Sequence, residues 1–201
     1  MPDARTHDMI TYATAVALAP LSQVAQVSLL GLPQLAAWPN SAWLVIAHII
    51  SGVMFSPDLD LDSAIDNRWG IFFWIWRPYM WLVPHRSFWS HSLVIAPLLR
   101  LAYFYVVMIG LIIGGTWLLG LVGIVVPDYH TQIVRALSQI SADHPDTVTA
   151  FLVGFCTGSA AHSIADWLVT GGKQILRRVG IRVTRDYRNH DRYVPRYRRR
   201  T

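Results

Sequence analysis

His162 and Asp166, in "HSIAD", stand four residues apart inside an otherwise apolar stretch. On a helix that spacing puts both side chains on one face, which suits a metal ion held by a rigid element. A carboxylate at the centre of an apolar span costs about 2.5–3.5 kcal/mol even on lenient insertion scales, so its presence points to a function. Upstream, "SPDLDLD" places Asp58, Asp60 and Asp62 at alternate positions. An extended backbone there aims all three carboxylates one way. "PHRSFWSHS" adds His85 and His91 on either side of Arg86. On an ideal helix these two histidines diverge by about 120°, so they converge only where the chain turns between them. Imidazole mixed with carboxylate, without thiolate, is the ligand chemistry of zinc or manganese. A calcium loop starting at Asp58 is excluded, because its Gly position holds Ser63 and its Glu position holds Trp69. A Gly-rich phosphate loop, a serine elbow and a His-Glu-x-x-His pair are all absent.

Such groups need a scaffold, and the composition predicts which kind. The chain has 201 residues, 53% of them hydrophobic and 14% charged, against about a quarter charged in soluble domains. All 12 acidic residues are aspartates, so the Glu–Lys pairs that commonly coat soluble helices are missing. The lone Cys156 excludes an intrachain disulfide and a Cys-rich zinc site, and is read as a small packing residue. Four apolar stretches stand out: Met9 to Leu32; Ala42 to Phe55, extending back through Pro39; Leu93 to Val126; and Val148 to Val169. The third has Arg100 as its one charge. As a single helix it reaches about 51 Å, longer than a hydrocarbon core of about 30 Å, so a hairpin broken at "GLIIGG" is the alternative. One crossing is expected, because a hairpin carries "HSIAD" to the opposite side from the other polar motifs. The expected fold is an all-α polytopic membrane bundle of about four transmembrane helices. Residues 1–172 form its metal-binding domain, and residues 173–201 a basic, partly disordered tail.

Charge sets the orientation. Eleven of the 17 basic residues follow Gly172, and Arg68, Arg77 and Arg86 lie in the central loop, whereas Leu21 to Ser41 has none. The positive-inside rule then places both termini and the central loop in the cytoplasm. That topology gathers His7, Asp58, Asp60, His85, His91, His162 and Asp166 at one membrane surface. Seven nitrogen and oxygen ligands can hold one or two divalent ions. His48, inside the second stretch, is read instead as a hydrogen-bonding packing residue. The tryptophans of the central loop, among them Trp69, Trp74, Trp76, Trp81 and Trp89, suit an interfacial belt. The arginine-rich tail is expected to bind anionic lipid headgroups, and nucleic acid is not the expected partner.

"SPDLD", "HRSFWSHS" and "HSIAD" followed by "TGG" resemble the motifs of the bacterial membrane-bound metal-dependent hydrolases of the YdjM-like kind. They are especially similar to those of an uncharacterised cyanobacterial metal-binding family. A remoter likeness is to zinc-dependent phospholipase C, without its further His-x-x-x-Glu pair. The resemblance spans about residues 5 to 172 and implies metal ligands at Asp58, Asp60, His85, His91, His162 and Asp166, with His7 as the early histidine. Ser87 and Ser90 stand where Gly and Thr are usual, and neither change removes a ligand. The function expected is hydrolysis of a phosphoester or lipid-borne substrate by a metal-activated water. Asp60 and Arg86 are the catalytic candidates, one for proton removal and one for binding the developing negative charge. The alternative is a non-catalytic metal-binding membrane scaffold or assembly factor. The expected location is the bacterial inner membrane or the thylakoid.

Overall fold

The computed structural model describes residues 4–60, 66–83, 89 and 92–178, without the side chains of residues 4, 35, 36, 58, 60, 66, 67 and 170–178. Every regular element among these residues is helical. The long helices are α1 (Ala4–Leu29), α2 (Gln34–Met54), α5 (Ile95–Leu121), α6 (Tyr129–Asp143) and α7 (Pro145–Arg178). Between α2 and α5 lie a 3-10 turn (Pro57–Asp60), α3 (Asp66–Trp69), a second 3-10 segment (Gly70–Trp76) and α4 (Arg77–Leu82).

Three helices are long and apolar enough to cross a membrane: Arg5–Leu29, Ile95–Leu121 and Pro145–Val169. They coincide with the first, third and fourth apolar stretches. The second stretch is α2, which runs back through Pro39 as expected. Asn40, Ser41, His48 and Ser51 dilute its apolar character, and all four are buried. The third stretch is one continuous helix through Gly114 and Gly115. Its 27 residues extend about 40 Å, so the stretch is one helix and the hairpin alternative is discarded.

The bundle is built around α2, which packs most extensively on α7 and next on α1. The α2–α7 contact is backbone on backbone. A Cβ added at Gly154 would lie 2.0 Å from the Leu44 carbonyl oxygen, and one at Gly158 would lie 2.1 Å from that of His48. Small residues permit this approach where helices pair in lipid, because dispersion and interhelical hydrogen bonds take over from the hydrophobic effect there. His48 spans the same seam: Nε2 meets Thr14 Oγ1 of α1 at 2.9 Å and Nδ1 meets Thr157 Oγ1 of α7 at 3.0 Å. It is the packing residue the sequence suggested, with both ring nitrogens engaged.

At one end of this trio the chain leaves α2 through Phe55, whose ring meets Trp69, Trp76, Phe104 and Phe155 edge-on at centroid distances of 5.2–5.6 Å. Trp76 and Tyr79 are buried, while Trp74 and Trp81 remain exposed. The tryptophan-rich loop is thus partly core and only partly a belt. The Pro57–Asp60 turn corrects the extended reading of "SPDLDLD" at Asp58 and Asp60. It bends to seat the fully buried Leu59, whose N–H bonds to the Ser56 carbonyl at 3.0 Å.

At the other end, α6 was not foreseen. Asp128 caps it by accepting from the Thr131 N–H at 3.3 Å. The Thr131 side chain, this backbone bond, and His130 and Arg135 nearby hold the Asp128 carboxyl below the usual carboxylate range.

The close crossing yields a stability test. Gly154→Ala forces two backbones apart and should destabilise the protein by about 1–3 kcal/mol. Gly115→Ala, where an added Cβ meets nothing within 4 Å, should leave the thermal unfolding midpoint in detergent unchanged. Equal midpoints for the two variants would remove the crossing as the source of stability.

Candidate metal centre

α1 begins only three residues before His7 and runs antiparallel to α2 and parallel to α5, so its first turn meets the last turns of the spanning part of α7. There the His7 and His162 rings stack at a centroid distance of 3.7 Å, 15° from parallel. Asp166 lies beneath both: Oδ1 is 3.3 Å from His7 Nε2 and Oδ2 is 3.7 Å from His162 Nε2. One donor atom from each of the three residues falls within 4.8 Å of the others. His7 is 3% exposed, His162 1% and Asp166 9%.

The arrangement fits a metal ion on its own chemistry. Neither His7 ring nitrogen makes a hydrogen bond, nor does Asp166 Oδ1, despite their 3.3 Å approach. Buried groups of this kind ordinarily find partners, because leaving one unmet costs about 1–3 kcal/mol. Donors around a tetrahedral ion with bonds of about 2.0–2.2 Å sit about 3.3–3.6 Å apart, and the two imidazole–carboxylate approaches, 3.3 and 3.7 Å to different oxygens of Asp166, lie near that range. Two imidazoles and a carboxylate also form an N/O donor set suited to zinc and other first-row ions.

Neighbouring residues hold this end rigid. The last carbonyls of a helix have no partner within it, and α2 finds three outside. Arg68 donates to Val53 O at 2.6 Å, Trp69 Nε1 to Met54 O at 2.9 Å, and Arg100 to Phe55 O at 2.9 Å. Arg68 also pairs with Asp8, beside His7. Arg100, 1% exposed, donates further to Ser159 Oγ at 3.2 Å, three residues before His162. The arginines thereby fix both ligand-bearing helices against the exit of α2. The Thr11 hydroxyl donates to the His7 carbonyl at 3.0 Å, one more tie within α1.

Of the seven ligand candidates, the structure brings together His7, His162 and Asp166. The backbone of Asp58 and Asp60 forms the turn that follows α2 and contacts α7 at the same end. The carboxylates of Asp58 and Asp60 lie outside the described residues, as do His85, Arg86 and His91. Sequence reasoning missed the tethering roles of Arg68 and Arg100. The available signal was Arg100 itself, a lone charge in an apolar span, which by default has a buried partner.

His162→Ala or Asp166→Ala should each strip metal from the purified protein, whereas His48→Ala should retain it. Elemental analysis of the three folded variants checks this. Unchanged metal content at both His162 and Asp166 would reduce the cluster to packing.

No curated protein and no solved structure matches the chain significantly. The model of a family described as "Uncharacterized metal-binding protein (DUF2227)" matches residues 2–176. That range takes in all three clustered residues and every other ligand candidate. With nearly the whole helical region matched, the chain belongs to this metal-binding family.

Proposed function

We propose that the protein is a membrane-embedded, metal-dependent hydrolase whose centre faces the cytoplasm and acts on a phosphoester or lipid-borne substrate. The observation that carries the metal-binding half is the convergence of His7, His162 and Asp166, in which the His7 ring nitrogens and Asp166 Oδ1 are buried and make no hydrogen bond. The hydrolytic half is supported by the resemblance of the three motifs to YdjM-like hydrolases. A divalent ion, zinc or manganese, supplies Lewis acidity and lowers the pKa of water. His7, His162 and Asp166 would hold it, and with Asp58, Asp60, His85 and His91 the ligand candidates would be numerous enough for a second ion. Asp60 removes a proton from the attacking water, and Arg86 grips an anionic oxygen of the substrate through its planar fork.

The membrane reading takes α2 as a fourth crossing. Its 21 residues extend about 31 Å, enough to span. Packed against α1 and α7, it turns Asn40, Ser41, His48 and Ser51 inward and leaves Trp43, Ile46 and Ile50 exposed, so the polar residues that lower its hydropathy stay out of lipid. The arginine distribution puts both termini and residues 58–92 in the cytoplasm, at the inner membrane or the thylakoid, with the basic tail against anionic headgroups.

One observation favours a second reading. His7 and His162 are almost fully buried, as in closed structural sites, so the ion could staple α1 to α7 in a scaffold without turnover.

Two measurements test these readings. In a Cys156→Ala background, a membrane-impermeant thiol reagent should reach Ser138→Cys from outside intact cells and Ala64→Cys only after permeabilisation. Labelling of both from the same side would overturn the single third crossing. For catalysis, Arg86→Lys should keep wild-type metal content and melting temperature while lowering phosphoester hydrolysis by about 10–100-fold, because lysine keeps the charge and loses the bidentate fork. Metal-loaded wild type without turnover across phospholipid and phosphoester substrates would leave the staple as the function.

A further inference from the structure

α6 lies between two candidate spans, tethered to the last residue of α5 by residues 122–128 and to the first residue of α7 by His144 alone. It touches both of those helices. With the centre at the cytoplasmic ends, α6 is held at the opposite membrane surface. It buries none of its 15 residues.

Yet α6 is strongly two-faced. Tyr129, Ile133, Leu137 and Ile140 recur at spacings of three and four residues, which on a helix gives one apolar stripe. They are 36–47% exposed. Thr131, Arg135, Ser138 and Gln139 occupy the opposite side. The incoming strand of chain is apolar as well, with Ile124 50% and Val125 97% exposed. Such a face needs a cover, and its position decides which one: the apolar surface of α5 that leads into it has no buried residue after Arg100.

We infer that α6 is an in-plane helix, its Tyr129–Ile133–Leu137–Ile140 face resting in the headgroup and acyl-chain boundary of the non-cytoplasmic leaflet. The inference rests on the membrane reading above. Amphipathic helices of this kind lie about 5–10 Å into that boundary with their polar side in water. Arg135 is the one cation on the polar face, and Asp128, Asp143 and Asp146 flank it. Seating is therefore driven by apolar burial and does not require anionic lipid. A helix seated so also fixes the depth at which α5 ends and α7 begins.

The test uses the full chain, Cys156→Ala, in phosphatidylcholine vesicles, with a nitroxide at single cysteines. Labels at Ile133→Cys, Leu137→Cys and Ile140→Cys should collide several-fold more with oxygen than with a water-soluble nickel chelate. Thr131→Cys and Ser138→Cys should give the reverse, so that accessibility follows the helical period. Val106→Cys, 66% exposed in the middle of α5, reports the membrane reading separately. Oxygen access at Val106 with chelate access on both faces of α6 would overturn the inference and leave the membrane reading standing. Chelate access at Val106 would overturn both. An apolar face shielded from oxygen and chelate alike would mean that protein covers it, and the inference would fail. Repeating the series with phosphatidylglycerol added should change none of the ratios; seating that needs the anionic lipid would contradict apolar burial as its cause.

Discussion

The approach of the α2 and α7 backbones at Gly154 and Gly158 is the constraint on which the remaining geometry depends. Helix pairs this close are fixed in register as well as distance, since sliding either one drives a side chain into a backbone. Ala150, Gly154, Gly158, His162 and Asp166 recur every four residues along α7, so one ridge carries first the contact and then the ligands. The upper part of that ridge is locked against Leu44 and His48. The lower part is thereby presented, at a fixed height and rotation, where α2 has ended and α1 begins. Placement of His162 and Asp166 is a consequence of glycines up to three turns away.

α1 has to meet that ridge with comparable accuracy to deliver His7. Its closest approach to α2 is at Gly52, where an added Cβ would lie 2.5 Å from the Thr11 side chain. The work of positioning passes to polar side chains. Thr14, His48 and Thr157 form a crosslink through three helices, and Arg68 joins Asp8 to the end of α2. Away from the centre, Gln26 donates to Ser41 at 2.9 Å and Ser41 to Gln23 at 3.1 Å. In a hydrocarbon environment no water competes for such groups, and each bond contributes modestly, averaging about 0.6 kcal/mol in comparable proteins. Their value here is directional: they select one rotation of α1, and the stacked imidazoles follow from it.

How much of this the sequence disclosed depended on the range of the signal. Helix existence was legible from long apolar runs, and the shared helix face of His162 and Asp166 from their four-residue spacing. His48 was read correctly because a histidine inside an apolar segment has helix packing and hydrogen bonding as its ordinary use. Three features escaped. α6 was hidden because a 15-residue amphipathic helix with one arginine reads as a polar loop between spans. "SPDLDLD" was read with a period of two, but Leu59 is drawn into the aromatic core around Phe55, and burying it requires a turn. The tethers from Arg68 and Arg100 depend on carbonyls at the end of α2, and where a helix terminates relative to a distant arginine is a tertiary fact with no local pattern.

The centre is not at the tip of the bundle, and this bears on what can reach it. α1 begins at Ala4, just before His7, whereas α7 continues twelve residues past Asp166 to Arg178, an extension of about 18 Å. Lys173, Arg177 and Arg178 lie along that extension, on the cytoplasmic side of the donors in the proposed topology. Basic residues beside a site raise the local concentration of anions. Among the three donors Asp166 is the most exposed, and it is also the one nearest the extension in sequence. In the hydrolase reading proposed above, substrate would approach the donor set from the Asp166 side, where it is least buried.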